Sequence, residues 1–422
     1  MKEFSRKLRS AFSVKGTWIE IPVAAILISI FLPIHILNVT LAVIQKRPVI
    51  IPTRKLDALG RMVVIKQFSS GLAKRTAVLY DVFIRKISFV GVSMAHSFNN
   101  EQRQLIKEQY ETLPGLVSLY DIHMSVGIET SSPWELLKQQ LNGSTLSHVV
   151  LLIKASIGFG VYYARDLKSP KVASLFDLPI NNVLMREAVD WSVYGSSLIK
   201  TNNIHVGPQL GFFVNAHSVN LAESDPLFKS CLRHAHVLFA DGSGMRVAAK
   251  SVGIKLKSNI NGTDMLPKIC KRAELENKSI YFLGGQPGIA QQAAEKLKAA
   301  YPNLEVAGTE HGYFQFDDKE KNAEIVSRIN ASKADIVLVG LGSPNQEHWC
   351  LQNFKELQCT SVLAVGGLFD YYSGAIPRAP IAFRELGLEW IWRLMQEPVV
   401  KFKRYVIGTP EFLVRTFLFK QV

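Results

Sequence analysis

No cysteine in this chain is spaced to clasp a metal with another. The four, Cys231, Cys270, Cys350 and Cys359, include no CxxC pair and have no histidine at zinc-ligand spacing. They read as free thiols of a reducing compartment that serve as packing residues. No histidine cluster adds a ligand set, so neither a metal nor another cofactor is expected. The Walker pattern has no match, and the glycine pair at Gly284 and Gly285 is not GxGxxG. A cleavable signal peptide is not expected either. The apolar run near the start is too long, and no small-residue cleavage site follows it. Acid is in short supply: 35 Asp and Glu stand against 49 Lys and Arg, a net charge of +14. That excess concerns partners, not fold: anionic lipid, nucleotide phosphate and nucleic acid all suit it. A basic and aromatic nucleic-acid module is missing, so no nucleic acid is expected; membrane and phosphate fit better.

What is present is long enough for two or more domains, since 422 residues exceed the ~150 typical of one. Residues 1–16 carry Lys2, Arg6, Lys7, Arg9 and Lys15 against a single acid, Glu3, as expected of a basic cytoplasmic N-terminus. Residues 17–45 hold an almost wholly apolar run, long enough to span a bilayer, which needs ~20 residues. Pro33 stands in its middle, and Glu20, His35 and Asn38 interrupt it. Basic residues Lys46, Arg47, Arg54 and Lys55 follow. Positive charge on both flanks favours two half-helices that break at Pro33 and re-enter the same leaflet; a plain single span is the alternative.

Residues 46–128 read as a small α+β domain, with strand signals at 49–52, 62–68 and 86–93 and a Pro-Gly turn opening an apolar run at 113–122. Residues 129–170 read as a helical connector. From 171 to 388 strands and helices alternate. That pattern predicts an α/β domain with a mostly parallel, Rossmann-like sheet and helices on both faces.

The organising stretch is 212–244, read as strand, helix, strand. Asn215 and His217 fall in the first turn, and Asp241 ends the second strand before Gly242, Ser243 and Gly244. Polar groups at strand carboxyl ends are where open α/β sheets take ligands. The alternative is that Asp241 only caps the next helix. Further on, Gly284 and Gly285 end a strand and either present N–H groups to a diphosphate or make a tight turn. Gly340 and Gly342 precede Gln346 and Glu347, which suit a sugar or uracil edge, or ordinary helix capping. Asp370, after a third glycine turn, has the same two readings. Residues 389–422 are basic and aromatic. They read as a membrane-facing lid whose arginines, Arg393 and Arg404, hold a diphosphate, or else as a solvated helix.

These motifs, taken in order, resemble the WecG/TagA/CpsF glycosyltransferases. The carriers are Asn215, FADGSG (239–244), NGTDML (261–266), YFLGGQPG (281–288), GYF (312–314), GLGSPNQE (340–347), GGLFDYYSG (366–374), PRAP (377–380), GLEWIWRL (387–394) and EP (397–398) ahead of KRY (403–405). The resemblance implies a metal-independent, inverting enzyme. It would move an N-acetylmannosamine-type sugar from a UDP-sugar donor to a polyprenyl-diphosphate-linked acceptor, on the cytoplasmic face of a bacterial inner membrane. It makes Asp241 the catalytic base. It puts Asn215, Gly242, Gly244, Asp264, Gly284, Gly285, Gly342, Gln346, Glu347, Asp370, Arg378, Arg393 and Arg404 at the substrates. It also admits a homo-oligomer, for which no interface stripe is legible. Two positions depart from the family pattern: Val214 where Thr is common, and Asn259 where Arg is common.

Residues 17–128 resemble a second family, the bacterial sugar transferases that join a sugar phosphate to polyprenyl phosphate. The broken apolar helix, Arg54, Gly60, KQFSSG, ISFVGV and LPGL carry the likeness. Where that family has an Asp-Glu pair, this chain has Lys74 and Arg75. A cation cannot replace a carboxylate nucleophile, so this domain is expected to be degenerate and to dock to the membrane. A phosphoglycosyltransferase acting through it, and a membrane scaffold with no activity, are the rival readings.

Overall fold

The computed structural model describes residues 17–94, 98–110, 112–126, 128, 132–155, 167–195, 207–316 and 318–417. The basic segment 1–16 and the last five residues of the tail lie outside this set, as does 156–166 within the apolar stretch before 170. The chain divides into two compact units: residues 1–125 with 129–163, and residues 126–128 with 164–422.

The first unit opens with helix α1 (Thr17–Ile44). It is one helix that includes both Pro22 and Pro33. A proline inside a helix removes one ladder hydrogen bond and leaves the rest in place. A hairpin follows, strands β1 (Ile50–Leu56) and β2 (Met62–Phe68), paired antiparallel. Then come helix α2 (Val78–Phe83), strand β3 (Ser88–Val90), helix α3 (Asn100–Gln109), strand β4 (Gly115–Val117) and helix α4 (Leu119–Val126). Strands β3 and β4 pair in parallel, and Gly91 and Gly115 let their backbones touch where any Cβ would collide. Helices α5 (Pro133–Asn142) and α6 (Thr145–Lys154) were expected to act as a connector. They pack into this unit instead, with Leu136, Leu151 and Ala155 buried against Val90, Val117 and Ile122. Their apolar faces find cover there, which a bare connector would leave in water.

The second unit is built on an eight-stranded sheet in the order β10-β9-β11-β12-β7-β8-β6-β5. Strands β5 (Val172–Leu175) and β6 (Leu178–Asn181) form an antiparallel edge hairpin; every other pairing is parallel. Helix α7 (Met185–Tyr194) leads to β7 (Gln209–Val214), α8 (Ala216–Ser224), α9 (Pro226–His234), β8 (Val237–Ala240), α10 (Ser243–Ser251) and α11 (Gly262–Leu275). Next come β9 (Ser279–Gly284), α12 (Ile289–Ala300), β10 (Glu305–Glu310), α13 (Lys319–Ala331), β11 (Ile336–Gly340), α14 (Asn345–Asn353), β12 (Ser361–Ala364) and α15 (Leu368–Ser373).

Strands β7, β8, β9, β11 and β12 are near-continuous runs of Val, Ile, Leu and Phe, as parallel strands covered on both faces require. Two cores result. One holds residues of α8, α9, α10, α13 and α14, the other those of α7, α11, α12 and α15. Helix α8 therefore leaves β7 on one face while α15 leaves the neighbouring β12 on the other. That divergence opens a crevice at the carboxyl ends of the strands.

The tail returns across this end as α16 (Ile381–Glu385), α17 (Glu389–Gln396), α18 (Pro398–Phe402), a π-helical turn (Lys403–Ile407) and α19 (Gly408–Phe417). It is more than a lid, because Phe412 is buried in the sheet's core against Phe176.

Candidate active site

The crevice is a cavity of about 690 Å³ at the ends of β7, β8, β9, β11 and β12, walled on its far side by α17 and the π-helical turn. Asp241 stands at its floor. The backbone N–H of Asp241 donates to the Val214 carbonyl at 2.8 Å, continuing the β7–β8 ladder one residue past β8. The helix that follows has Gly242 as its N-cap and no side-chain cap bond, so Asp241 is not a capping residue. Its carboxylate accepts from Asn215 Nδ2 at 3.4 Å. The other end of that amide caps α8: Asn215 Oδ1 accepts from the His217 and Ser218 N–H groups at 3.0 and 3.1 Å. Helix α8 therefore begins two residues earlier than the expected start near Ser218.

Burial pushes the Asp241 carboxyl up to about 6, against the opposing pull of Arg393 and of the Asn215 hydrogen bond. Such a group is ionised at neutral pH and is still a fair proton acceptor. His217 moves the other way. Burial, with Arg404 and Lys401 nearby, lowers it to about 4, so the cleft holds a neutral imidazole.

Above Asp241 the tail supplies positive charge. Arg393 stacks on Tyr371 with its guanidinium 5.0 Å from the ring centre and donates to Glu389 at 3.4 Å. Lys401 pairs with Glu397 at 3.5 Å. The buried Nε atoms of Arg393 and Arg404 have no hydrogen-bond partner among the described residues. Buried donors without partners are costly, and an incoming anion would satisfy them.

Of the residues singled out from sequence, Asn215, Asp241, Gly242, Gly285, Gly342, Gln346, Asp370, Arg393 and Arg404 line this cavity. Gly244, Asp264, Gly284, Glu347 and Arg378 do not. Asp264 is an internal anchor, accepting from Arg378, from Arg384 at 3.0 Å and from Asn261 at 2.8 Å, and it ties the PRAP loop to α11. Gly284 crosses β11 so closely that a Cβ would strike the Gly340 carbonyl. The Gly285 N–H donates to that same carbonyl at 3.0 Å, so it is not free for a phosphate.

Gln346 is likewise engaged: its Nε2 donates to Glu347 at 2.9 Å and its Oε1 accepts from the Gly366 N–H at 2.8 Å. It fixes the β12 turn from inside the cavity wall. Glu347, buried beneath it, is pushed up by burial and accepts from Ser343 at 2.8 Å. Asp370 sits within α15, whose N-cap is Gly367, so it is not a cap; burial raises its carboxyl too.

His217, noted in the first turn, lines the cavity too, as do Asn259, Lys401 and Tyr371, which were not among the expected substrate residues. Asn259 accepts from the Gly242 N–H at 2.6 Å and so shapes the turn after Asp241. Its departure from the family pattern was the available signal. Among the described residues no group of three or more His, Cys, Asp or Glu is placed to hold a metal ion.

A switch-point crevice in a parallel α/β sheet, with the Asp241 carboxylate near guanidinium donors that lack partners among the described residues, is suited to an anionic ligand. The sequence profile of the WecG/TagA/CpsF glycosyl transferase family matches residues 173–421, and the chain belongs to that family. Two relatives are named N-acetylglucosaminyldiphosphoundecaprenol N-acetyl-beta-D-mannosaminyltransferase. One, from Staphylococcus aureus strain MW2, is 29% identical over 197 residues, 47% of this chain and 74% of that protein. The other, from Bacillus spizizenii, is 31% identical over 196 residues, 46% of this chain and 71% of that protein. Both are hexosyltransferases by name, and this chain is an enzyme of that kind.

Proposed function

We propose that this enzyme transfers an N-acetylmannosamine-type sugar, with inversion, from a UDP-sugar to a polyprenyl-diphosphate-linked sugar. The reaction would serve surface polysaccharide assembly at the cytoplasmic face of the bacterial inner membrane. The observation that carries this is Asp241, an ionisable carboxylate with a raised pKa on the cavity floor, facing Arg393 and Arg404. In this reading an acceptor hydroxyl attacks the anomeric carbon and gives its proton to Asp241. The bond from that carbon to the diphosphate oxygen breaks on the opposite face, and UDP leaves with the electron pair. Arg393, Arg404 and Lys401 take up the charge that develops on the diphosphate, where fixed cations in a dry site are worth most. No step calls on a metal. The relatives' names support the sugar and the lipid diphosphate.

The test offers UDP-N-acetylmannosamine, with UDP-N-acetylglucosamine beside it, to the full chain in detergent. The acceptor is either a polyprenyl-diphosphate sugar or bare polyprenyl phosphate. UDP release that requires the diphosphate-linked acceptor is expected. UMP release with bare polyprenyl phosphate would move the chemistry to the first unit, against the reading of Lys74 and Arg75.

A further inference from the structure

We infer that helix α6 is a second membrane contact of the first unit: its outer face, Leu146, Val150 and Ile153, rests in the headgroup boundary of an anionic bilayer beside the start of α1. This concerns the first unit alone. It stands whichever course α1 takes beyond its first turns, and whether or not the catalytic reading above holds.

Helix α6 is apolar on two opposite sides. Leu151 and, at its C-cap, Ala155 are buried with Val90, Val117 and Ile122. Leu146, Val150 and Ile153 follow one another at steps of four and three residues and are 72%, 40% and 55% exposed. With 3.6 residues per turn, that stripe lies on the side away from Leu151 and Ala155. A helix on a water-facing surface carries polar residues there. The stretch 136–165 also has Lys138, Lys154 and Arg165 but no Asp or Glu, so no acid in it repels an anionic surface.

The neighbour of this stripe identifies its cover. Helix α1 is long and apolar enough to cross a membrane. The only apolar residues it buries are Ala24 and Ala42, while Trp18, Ile26, Ile30, Ile36 and Ile44 are exposed. A core helix would bury that surface, so α1 belongs in lipid. The basic segment 1–16 and Trp18 mark its start as the end at headgroup level.

Glu20 fixes α6 to that same end. It accepts from Ser88 Oγ and the Phe89 N–H, each at 2.7 Å, and from the Val90 N–H at 3.1 Å; Nε2 of His148, in α6, lies 2.8 Å from its carboxylate. Side chains alternate along a strand, so Ser88 and Val90 share one face of β3. Ser88 holds α1 on that face, and Val90 is buried there with Leu151 and Ala155 of α6. The two helices therefore lie side by side on one face of the β3–β4 pair, with their exposed side chains turned away from it. A bilayer that takes the start of α1 meets Leu146, Val150 and Ile153 as well. Such a face sinks about 5–10 Å, to the boundary between headgroups and acyl chains.

The experiment places a nitroxide at Leu146→Cys, Val150→Cys and Ile153→Cys, one at a time. The full chain carries Cys359→Ser, because its other three cysteines are buried. Each labelled protein is first required to melt as the parent does. Oxygen and nickel accessibility of the nitroxide is then read in phosphatidylglycerol–phosphatidylethanolamine vesicles. All three labels should favour oxygen over nickel, at a depth of about 5–10 Å. Labels that favour nickel stand in water and would overturn the inference. Labels closed to both reagents are covered by protein, a second copy included, and would overturn it too. A second measurement needs no substitution. An apolar carbene photolabel dissolved in the same vesicles should modify the Thr145–Lys154 peptide of the unaltered chain. Modification of the α1 peptide with none in Thr145–Lys154 would refute the contact.

Discussion

Asn215 and Asp241 meet amide to carboxylate, 3.4 Å apart, at the ends of adjacent parallel strands, while the far end of the same amide caps helix α8. One side chain thus ties the start of a helix to the state of the candidate base. Replacing it separates the two roles. Asn215→Asp keeps a good N-cap, so melting should stay near the parent, but it sets a like charge against Asp241 and raises that pKa further. Asn215→Ala loses the cap, about 1 kcal/mol, as well as the donor. The expected result is a transfer rate whose acid limb moves to higher pH in both variants, further in Asn215→Asp. A residue that only capped the helix would change the melting point and leave the pH profile alone.

Asp241→Asn should abolish transfer, by a factor of about 100 to 10,000 for the loss of a general base. Stability should move in the other direction. The folded carboxyl titrates near 6 and the ordinary value is 3.8, so its stabilising effect is full below the lower figure and is lost as pH rises through the upper. Above pH 6 the native state carries the ionised form at a cost of about 3 kcal/mol. The Asn variant should therefore melt higher than the parent at pH 8 and level with it near pH 4. An inactive variant that melts lower at pH 8 would mean that Asp241 serves the fold.

Arg393 opposes the effect of burial on Asp241, so Arg393→Gln lets that pKa rise above about 6. The base form then needs higher pH, and the acid limb of kcat/KM should shift upward with it. At pH 7 the rate falls for two reasons, less ionised base and a less stabilised diphosphate; raising the pH recovers only the first. A limb that stays in place would separate Arg393 from Asp241 and leave it a purely binding role.

The parallel sheet was legible because its central strands are near-continuous apolar runs ended by glycine or a polar turn residue, a pattern that depends on local chemistry alone. Asp241 was legible for the same reason, as a carboxylate at a strand end. What the sequence hid depends on long-range partners. Asp264 looks like a site residue until Arg378 and Arg384 are seen to consume its oxygens. Gly285 looks ready for a phosphate until its N–H is found on the Gly340 carbonyl. Pro33 reads as a break, yet the helical run continues past it, and Glu20, His35 and Asn38 find partners 34 to 70 residues further along the chain. In each case composition was informative and the partner, tens of residues away, decided the role.

Phe412 makes the tail's placement testable. It is 1% exposed, packs on Phe176 at 5.5 Å between ring centres, and leaves so little room that a Cβ on Gly244 would lie 3.2 Å from its ring. Its helix is also held by Asn220, whose side-chain amide donates to the Gly408 carbonyl at 2.7 Å. Arg404 lies in the π-helical turn (Lys403–Ile407) immediately before this helix, so the seat of Phe412 fixes the reach of Arg404 into the cavity. Phe412→Ala should cost about 3–5 kcal/mol in unfolding and raise KM for the nucleotide sugar as Arg404 loosens. Val399→Ser, at a site 89% exposed, should change stability by no more than about 0.5 kcal/mol. If Phe412→Ala melts like the parent, the tail is not part of the core. If it melts early but binds donor unchanged, Arg404 does not depend on that anchor, and α17 and α18 suffice to hold the turn that carries it.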